Sequence, residues 1–265
     1  MANRHADLAE LLHELRLPTM AEVFADWALR AAKDKLTHEA FLYQLVLAEL
    51  EGRTQRRTER LRKLSHLPAE KTFESLKLSR FDMTTRTQIE RLKSGAFLDE
   101  AVNVVAVGRP GCGKTHLACA LGHALIEQGR AVLFCSAYQL VQELLAAKRD
   151  LRLPKAMDKL TRFECLILDD IGYVQQDREE MEVLFTLLAE RYERHSVIIT
   201  TNLVFSEWSR IFKDPMTTLA AIDRVVHHSV ILDLMQVESY RAEVASQRRA
   251  ANPENDQIPQ PQPAA

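Results

Sequence analysis

The fold of this chain is decided by one stretch, Val102-Asn-Val-Val-Ala-Val-Gly-Arg-Pro-Gly-Cys-Gly-Lys-Thr115. The run 102–107 is mostly apolar and β-branched, which predicts a buried strand. Residues 108–115 match the pattern G-x-x-x-x-G-K-[ST], and a helical segment follows them. A strand, a glycine-rich loop and a helix in this order predict a phosphate-binding loop.

The residue types in this loop suit a bound nucleotide. Glycines let backbone N–H groups turn inward around phosphate, and the helix N-terminus adds a positive dipole. Lys114 is expected to reach the β- and γ-phosphates, and the Thr115 hydroxyl is expected to ligate Mg²⁺. We therefore predict that ATP and Mg²⁺ bind here. The predicted nucleotide-binding residues of this segment are Gly108, Gly111, Cys112, Gly113, Lys114, Thr115 and His116.

Short apolar runs alternate with helical segments through the rest of this region. The predicted strands are Val102–Val107, Ala131–Cys135, Cys165–Leu168, Val197–Thr200 and Val230–Leu232. The predicted helices between them are Thr115–Gln128, Tyr138–Lys148 and Arg178–Arg194. Near-continuous apolar strands of this kind are typical of a parallel sheet covered on both faces. The pattern predicts an α/β domain with a doubly wound, five-stranded parallel sheet.

Two acids and one amide follow predicted strands, where the carboxyl edge of the sheet lies beside the loop. Asp169 is expected to hold Mg²⁺ directly or through water, and Asp170 to polarise the attacking water. Asn202 ends the next strand and could reach the same water without competing for the metal. Together these residues predict a site for phosphoryl transfer to water.

The segment from about residue 5 to residue 65 has apolar positions at helical spacing. Pro18 and Thr37 mark predicted breaks between helices, with Thr37 as a helix cap. We therefore predict a helical N-terminal domain over 1–70 and the ATPase domain over 71–248. Residues 249–265 are rich in Pro and Gln and have little to bury, which predicts a disordered tail.

Composition restricts the class of protein and the kind of partner. The chain of 265 residues is 46% hydrophobic, yet it has no apolar run long enough for a membrane span and no signal core. We expect a cytoplasmic protein without a membrane partner. The four cysteines lack the spacing of a zinc site, so buried thiols are expected. Because the net charge is −2, any nucleic-acid binding must use local basic patches.

One predicted helix face between residues 52 and 63 is strongly basic. It is either a solvated helix surface or a contact surface for nucleic acid, and the sequence favours neither. The basic residues assigned to possible DNA contact are Arg53, Arg56, Arg57 and Arg60.

The order of these motifs resembles the initiator group of AAA+ ATPases, and most closely the IstB-type helper ATPase of insertion-sequence transposition. The similarity covers about residues 5–245. The segments that carry it are Gly-Cys-Gly-Lys-Thr-His-Leu-Ala at 111–118, Leu-Ile-Leu-Asp-Asp-Ile-Gly at 166–172, Thr-Thr-Asn-Leu at 200–203, Phe-Ser-Glu-Trp at 205–208, Asp-Arg-Val-Val-His-His at 223–228 and Glu-Ser-Tyr-Arg at 238–241.

The resemblance implies two arginine roles. Arg224 is the expected arginine finger, donated to the ATP of a neighbouring subunit, with Arg210 as the rival for that role. Arg241 is the expected second sensor near the γ-phosphate. A structural ion pair is the alternative for Arg224 and Arg241.

The resemblance also implies a role on DNA. The protein would form a homo-oligomer, a ring or helical assembly on duplex DNA, remodel the target and stimulate a cognate transposase. Expected phosphate contacts lie after the second strand, at Lys148, Arg149 and Arg152. A replicative helicase loader is the first alternative function, and a small-molecule kinase built on the same loop is the second.

Overall fold

The computed structural model describes residues 2–173, 178–210, 215–240 and 242–243. The chain divides into two compact units between Lys63 and Leu64, earlier than the predicted boundary near residue 70. The reason lies in Ser65, which is buried and whose carbonyl accepts a hydrogen bond of 2.7 Å from Phe134 N. Residues 64–70 thus belong with the second unit. The predicted tail at 249–265 lies outside the described residues.

The first unit is helical and consists of α1 (Ala2–Glu14), α2 (Pro18–Asp34) and α3 (His38–Leu64), the last of which ends one residue into the second unit. Pro18 is the first residue of α2, where its missing N–H costs nothing. Thr37 Oγ1 accepts a hydrogen bond of 3.2 Å from Ala40 N at the start of α3. Both breaks therefore fall where the sequence predicts them. The core of this unit is formed by Met20, Phe24 and Leu45.

Glu49 of α3 provides the N-terminal cap that the sequence of α2 lacks. Its buried carboxylate accepts a hydrogen bond of 3.1 Å from Met20 N in the first turn of α2. Arg53 Nε and Arg56 Nη2 donate to the other oxygen at 3.0 and 3.1 Å. Burial alone would raise the pKa of Glu49, but the bonds from Arg53 and Met20 outweigh it and hold that pKa below its ordinary value.

The second unit contains a parallel sheet in the order β2-β3-β4-β1-β5. Each strand end lies within one residue of its predicted position, and the predicted five-stranded parallel sheet is confirmed. The central strands β1, β3 and β4 are almost wholly buried, as expected for near-continuous apolar runs. The strands are β1 (Asn103–Val107), β2 (Val132–Ser136), β3 (Cys165–Asp169), β4 (Ser196–Thr201) and β5 (Ser229–Asp233).

Helices pack against this sheet. α9 ends at Arg191, earlier than the predicted Arg194, and Glu193 then takes a left-handed backbone with φ +55°. The α-helices are α4 (Met83–Lys93), α5 (Ala96–Asp99), α6 (Lys114–Glu127), α7 (Ala137–Arg149), α8 (Leu153–Leu160), α9 (Arg178–Arg191) and α10 (Pro215–Val226). Short 3₁₀ helices cover Leu78–Arg80, Ile171–Tyr173 and Phe205–Arg210.

Arg191, at the end of α9, is a buried cation bonded to backbone carbonyls. Its side chain is 1% exposed, and its guanidinium donates to carbonyl oxygens of Leu160, Phe163, Glu164 and Ser196 at 2.9 to 3.2 Å. Burial lowers the pKa of Arg191 to about 10. The residue joins the end of α8 to the start of β4.

The cysteines are free thiols. Burial raises the pKa of Cys119, Cys135 and Cys165 to about 12, so these thiols stay protonated and unreactive. Among the described residues, no helix has the length and apolar character needed to cross a bilayer.

Candidate nucleotide-binding site

The loop between β1 and α6 depends on glycine at two positions with left-handed backbone. Gly111 has φ +83° and Gly113 has φ +101°, a region that L side chains rarely adopt. A Cβ at Gly111 would also overlap Ser239 Oγ. The glycines therefore permit both the turn and the close approach of the segment around Ser239.

The buried cation of this loop is the side chain of Lys114. The residue begins α6 and is only 6% exposed. Its Nζ donates to the carbonyl oxygens of Gly108 at 2.8 Å and Arg109 at 3.1 Å. An ammonium held inside the loop in this way can bind phosphate oxygens.

The end of β3 meets the start of α6 at a pair of oxygen atoms. Thr115 Oγ1 donates to Asp169 Oδ1 at 2.7 Å, and Thr200 Oγ1 lies 2.7 Å from the same carboxylate oxygen. Hydroxyl and carboxylate oxygens are the hard ligands that Mg²⁺ prefers. The donor set at Thr115 and Asp169 therefore fits Mg²⁺.

Asp170 and Asn202 lie at the same edge of the sheet. Asp170 has a left-handed backbone with φ +56°, and its N–H donates to Thr200 Oγ1 at 2.9 Å. Asn202 Oδ1 is buried without a hydrogen-bond partner among the described residues. A Cβ at Gly172 would overlap this oxygen, so only glycine leaves room for the amide. An unpaired acceptor here suits a bound water or ligand.

A cavity of about 470 Å³ connects these groups. Lys114, Thr115, Asp170 and Asn202 line it together with other loop residues. Further lining residues come from outside the loop, namely Lys71, Ser75, Leu76, Lys77, Arg80, Phe81 and Tyr240. The volume is in the range of pockets that enclose small molecules.

The segment around Tyr240 is bound to the loop and to the residues before α4. Tyr240 N donates to Gly111 O at 3.0 Å. The cations of Lys77 and Arg80 lie 5.2 and 5.4 Å from the centre of the Tyr240 ring. Arg80 also donates to Glu238 O at 2.7 Å and forms an ion pair with Glu243. These contacts join several of the residues that line the cavity.

The lining by residues 71–81 and Tyr240 is not predicted from the sequence. Residues 68–98 have the pattern of a connecting stretch, although 71–81 contribute several lining residues. Tyr240 falls within the Glu-Ser-Tyr-Arg segment already quoted, but only its neighbour Arg241 receives a predicted role. The sequence feature that could have indicated this part of the site is the group of Lys77, Arg80 and Phe81, which stands just before Asp82, the N-cap of α4.

His116 fixes the stretch before α4 to the first turn of α6. Its Nε2 lies 3.0 Å from Ser75 Oγ and 3.0 Å from Thr72 O. His116 also lines the cavity, and its role at the nucleotide stays a prediction. Cys112 lines the cavity as well, and it is buried.

The predicted arginine residues lie elsewhere or are not described. Arg224 in α10 is half-buried, with its guanidinium 4.7 Å from the centre of the Phe185 ring, and it is not among the residues lining the cavity. Arg241 lies outside the described residues, and so does the side chain of Arg210. The roles of all three stay predictions.

The basic residues predicted to contact DNA have partners within the chain. Lys148 Nζ lies 2.8 Å from Glu182, Arg149 lies 3.7 Å from Glu179, and Arg152 pairs with Asp150. In the first unit, Arg53 and Arg56 bind the buried Glu49, whereas Arg57 and Arg60 are exposed. Arg53 and Arg56 thus have a structural task whether or not DNA binds.

Solved structures show the same fold in other proteins. The AMPPCP-bound DnaA from Aquifex aeolicus has a TM-score of 0.56 at 15% identity, over 71% of this chain and 56% of that one. The DnaC helicase loader has a TM-score of 0.50 at 22% identity, over 57% of this chain and 88% of that one. These likenesses show that the chain shares its fold with both proteins.

Relatives in sequence match nearly the whole chain. An insertion sequence ATP-binding protein of Sinorhizobium fredii is 43% identical over 245 residues, covering 92% of this chain and 82% of the relative. The insertion sequence IS21 ATP-binding protein of Pseudomonas aeruginosa is 38% identical, covering 89% and 88%. The model of the IstB-like ATP binding protein family matches residues 10–248. This match includes the loop, the two acids and the amide, and the chain belongs to the IstB-like ATP binding protein family.

Proposed function

We propose that this ATPase hydrolyses ATP in the cavity at the carboxyl edge of its sheet, with the triphosphate held by the loop 108–115. The observation that carries this proposal is the convergence of Lys114, Asp169, Asp170 and Asn202 around one loop. Lys114 neutralises the β- and γ-phosphates, and the loop N–H groups surround them. The adenine base of ATP then occupies the part of the cavity that Phe81 and Tyr240 line.

Thr115 and Asp169 would hold Mg²⁺, since Thr115 Oγ1 and Asp169 Oδ1 lie side by side, 2.7 Å apart, and both are oxygen ligands of the kind that Mg²⁺ takes. Mg²⁺, when bound, supplies positive charge to the phosphate oxygens during transfer.

Asp170 and Asn202 act on the attacking water. Asp170 accepts a proton from that water as the water oxygen bonds to the γ-phosphorus and the bond from this phosphorus to ADP breaks. Asn202 Oδ1 accepts a hydrogen bond from the other O–H of the water and so orients it. The buried, unpartnered state of Asn202 Oδ1 among the described residues supports this role. Arg224 of an adjacent subunit, with Arg241 as second sensor, stabilises the charge on the transferred group.

We propose further that the protein is the helper ATPase of an insertion sequence. It assembles with ATP as a homo-oligomer on duplex DNA, selects and remodels the target, and stimulates a cognate transposase. The names of the relatives, which are insertion sequence ATP-binding proteins, support this context. Phosphate contacts from Lys148, Arg149 and Arg152 require that DNA displaces Glu182, Glu179 and Asp150 from them. Such binding depends steeply on salt.

Binding to a duplex at rising salt, with and without ATP, tests this assignment. We expect binding only with ATP, because repetition along an assembly provides the avidity that a single subunit lacks. Changing Lys148, Arg149 and Arg152 together to Gln should reduce the slope of log affinity against log salt by about 0.9 for each phosphate that is no longer neutralised.

The contrasting variant is Arg57→Gln with Arg60→Gln, which leaves the bonds of Glu49 intact. If that pair removes the salt dependence while the triple variant keeps it, DNA binds the first unit. Equal binding with and without ATP would exclude binding through assembly.

A replicative helicase loader is the second candidate function, because the DnaC helicase loader shares the fold. The two functions differ in the partner that changes ATP turnover. Stimulation by a replicative helicase, and none by the transposase of the same insertion sequence, would establish the loader.

A further inference from the structure

Thr200 connects the two strand-end acids of the site through one hydroxyl group. It lies in β4, two residues before Asn202, and its side chain is 0% exposed. Oγ1 lies 2.7 Å from Asp169 Oδ1 and 2.9 Å from Asp170 N. The function proposed above leaves this buried group without a role.

The chemistry of these partners fixes the direction of both bonds. A carboxylate only accepts and a backbone N–H only donates, so Thr200 gives its single proton to Asp169 and accepts from Asp170. Thr115 Oγ1 donates to the same oxygen of Asp169 at 2.7 Å. Two hydroxyl groups, from α6 and β4, therefore hold one carboxylate oxygen.

The bond to Asp170 acts on a restrained part of the backbone. Asp170 has φ +56°, which is uncommon for a residue other than glycine and persists where the surroundings hold it. The hydroxyl of Thr200 holds the N–H of that residue. Without it, the chain after β3 could relax and turn the Asp170 carboxylate away from the cavity.

We propose that Thr200 is a positioning residue for ATP hydrolysis, which holds Asp169 and Asp170 in their different orientations at once. This proposal rests on the proposed roles of the two acids. The hydroxyl proton of Thr200 binds the carboxylate of Asp169, and a lone pair of the same oxygen binds the N–H of Asp170. Both bonds require a hydroxyl group, so an apolar side chain of equal size cannot replace Thr200.

Thr200→Val tests the proposal, because it removes the hydroxyl and keeps the volume. We expect kcat to fall roughly 10- to 100-fold, with nucleotide affinity in the absence of Mg²⁺ unchanged and the gain in affinity from Mg²⁺ reduced. Thr200→Ser should restore both quantities to within about threefold of the original protein. Fluorescent-nucleotide titrations with and without Mg²⁺ give a readout that is independent of turnover.

Ser196→Ala is the matched control, since it removes a buried hydroxyl at the opposite end of β4 that bonds only to Phe97 O among the described residues. It should leave kcat and the Mg²⁺ effect unchanged. The proposal is overturned if Thr200→Val keeps full kcat, or if the Val and Ser variants lose activity equally. Normal turnover in Asp170→Asn would instead contradict the role of the acid itself.

Discussion

At the scale of single residues, Asp169 and Asp170 differ although they are adjacent and chemically identical. Asp169 is the last residue of β3 and accepts from two hydroxyl groups, whereas Asp170 has a left-handed backbone and lines the cavity. In the proposed function, backbone geometry therefore separates the residue that would hold Mg²⁺ from the residue that would act on water.

Asp170→Asn should keep nucleotide affinity and reduce turnover by roughly 10²- to 10⁴-fold, because the amide cannot accept the proton of the water. Phosphate release measures turnover, and a fluorescent-nucleotide titration measures affinity. Asp233→Asn, at the exposed end of β5, is the control. Parallel losses of binding and turnover would make Asp170 a metal ligand.

Arg191 has a purely structural place, and its loss should affect stability alone. Arg191→Met leaves carbonyl oxygens without donors in the interior, so the free energy of unfolding should fall by about 3 kcal/mol. Denaturant titration measures this change. Arg194→Met, whose side chain is 71% exposed in the original protein, should shift it by less than about 0.5 kcal/mol. Equal shifts would contradict the assignment.

At the scale of elements, the cap of α2 comes from a different helix, and this arrangement has a pH dependence. The folded pKa of Glu49 lies below its ordinary value of 4.5. The stability it contributes is therefore present above about pH 4.5 and lost as the pH falls through the lower folded pKa. Glu49→Gln should flatten the acid limb of thermal unfolding followed by circular dichroism. Glu51→Gln, exposed on the same helix, should leave it unchanged.

The strands and the phosphate-binding loop are predictable from sequence because their signals are local. The runs that form β1, β3 and β4 are mostly apolar, and the loop has a fixed pattern of residue types. The cavity lining at residues 71–81 and Tyr240 has no such signal. Arg80 reaches Glu243 across 163 positions, from a stretch without regular periodicity. The Thr200 bridge is equally hidden, because Thr is common in strands for reasons of shape.

The polar partners of the basic residues are also invisible in the sequence. The spacing of Arg53 and Arg56 predicts one positive helix face, but it does not show the buried Glu49 that binds them both. The sequence shows how many charged residues share a helix face, whereas only the folded structure shows which of them already form ion pairs.

At the scale of the whole molecule, the proposed active site needs a residue from another subunit. Lys114→Ala should bind no ATP, and Arg224→Ala should bind it without turnover. Mixing these two inactive proteins should restore part of the ATPase activity, because one type of mixed interface combines an intact loop with an intact arginine. Co-sedimentation confirms that they assemble together. If activity stays absent in mixed assemblies, the finger is Arg210 or acts within its own chain.

The attachment of Tyr240 and Ser239 to the loop has a consequence for biosynthesis. Strand β1, the phosphate-binding loop and α6 are translated long before residues 239 and 240. These two residues contact Gly111 and complete the cavity wall. A nascent chain that has emerged only as far as residue 238 has all five strands, the loop and the two acids, but it lacks the residues that complete the cavity wall. Such fragments should release ATP quickly, so ribosomes produce competent ATPase only after that late segment has emerged and folded back.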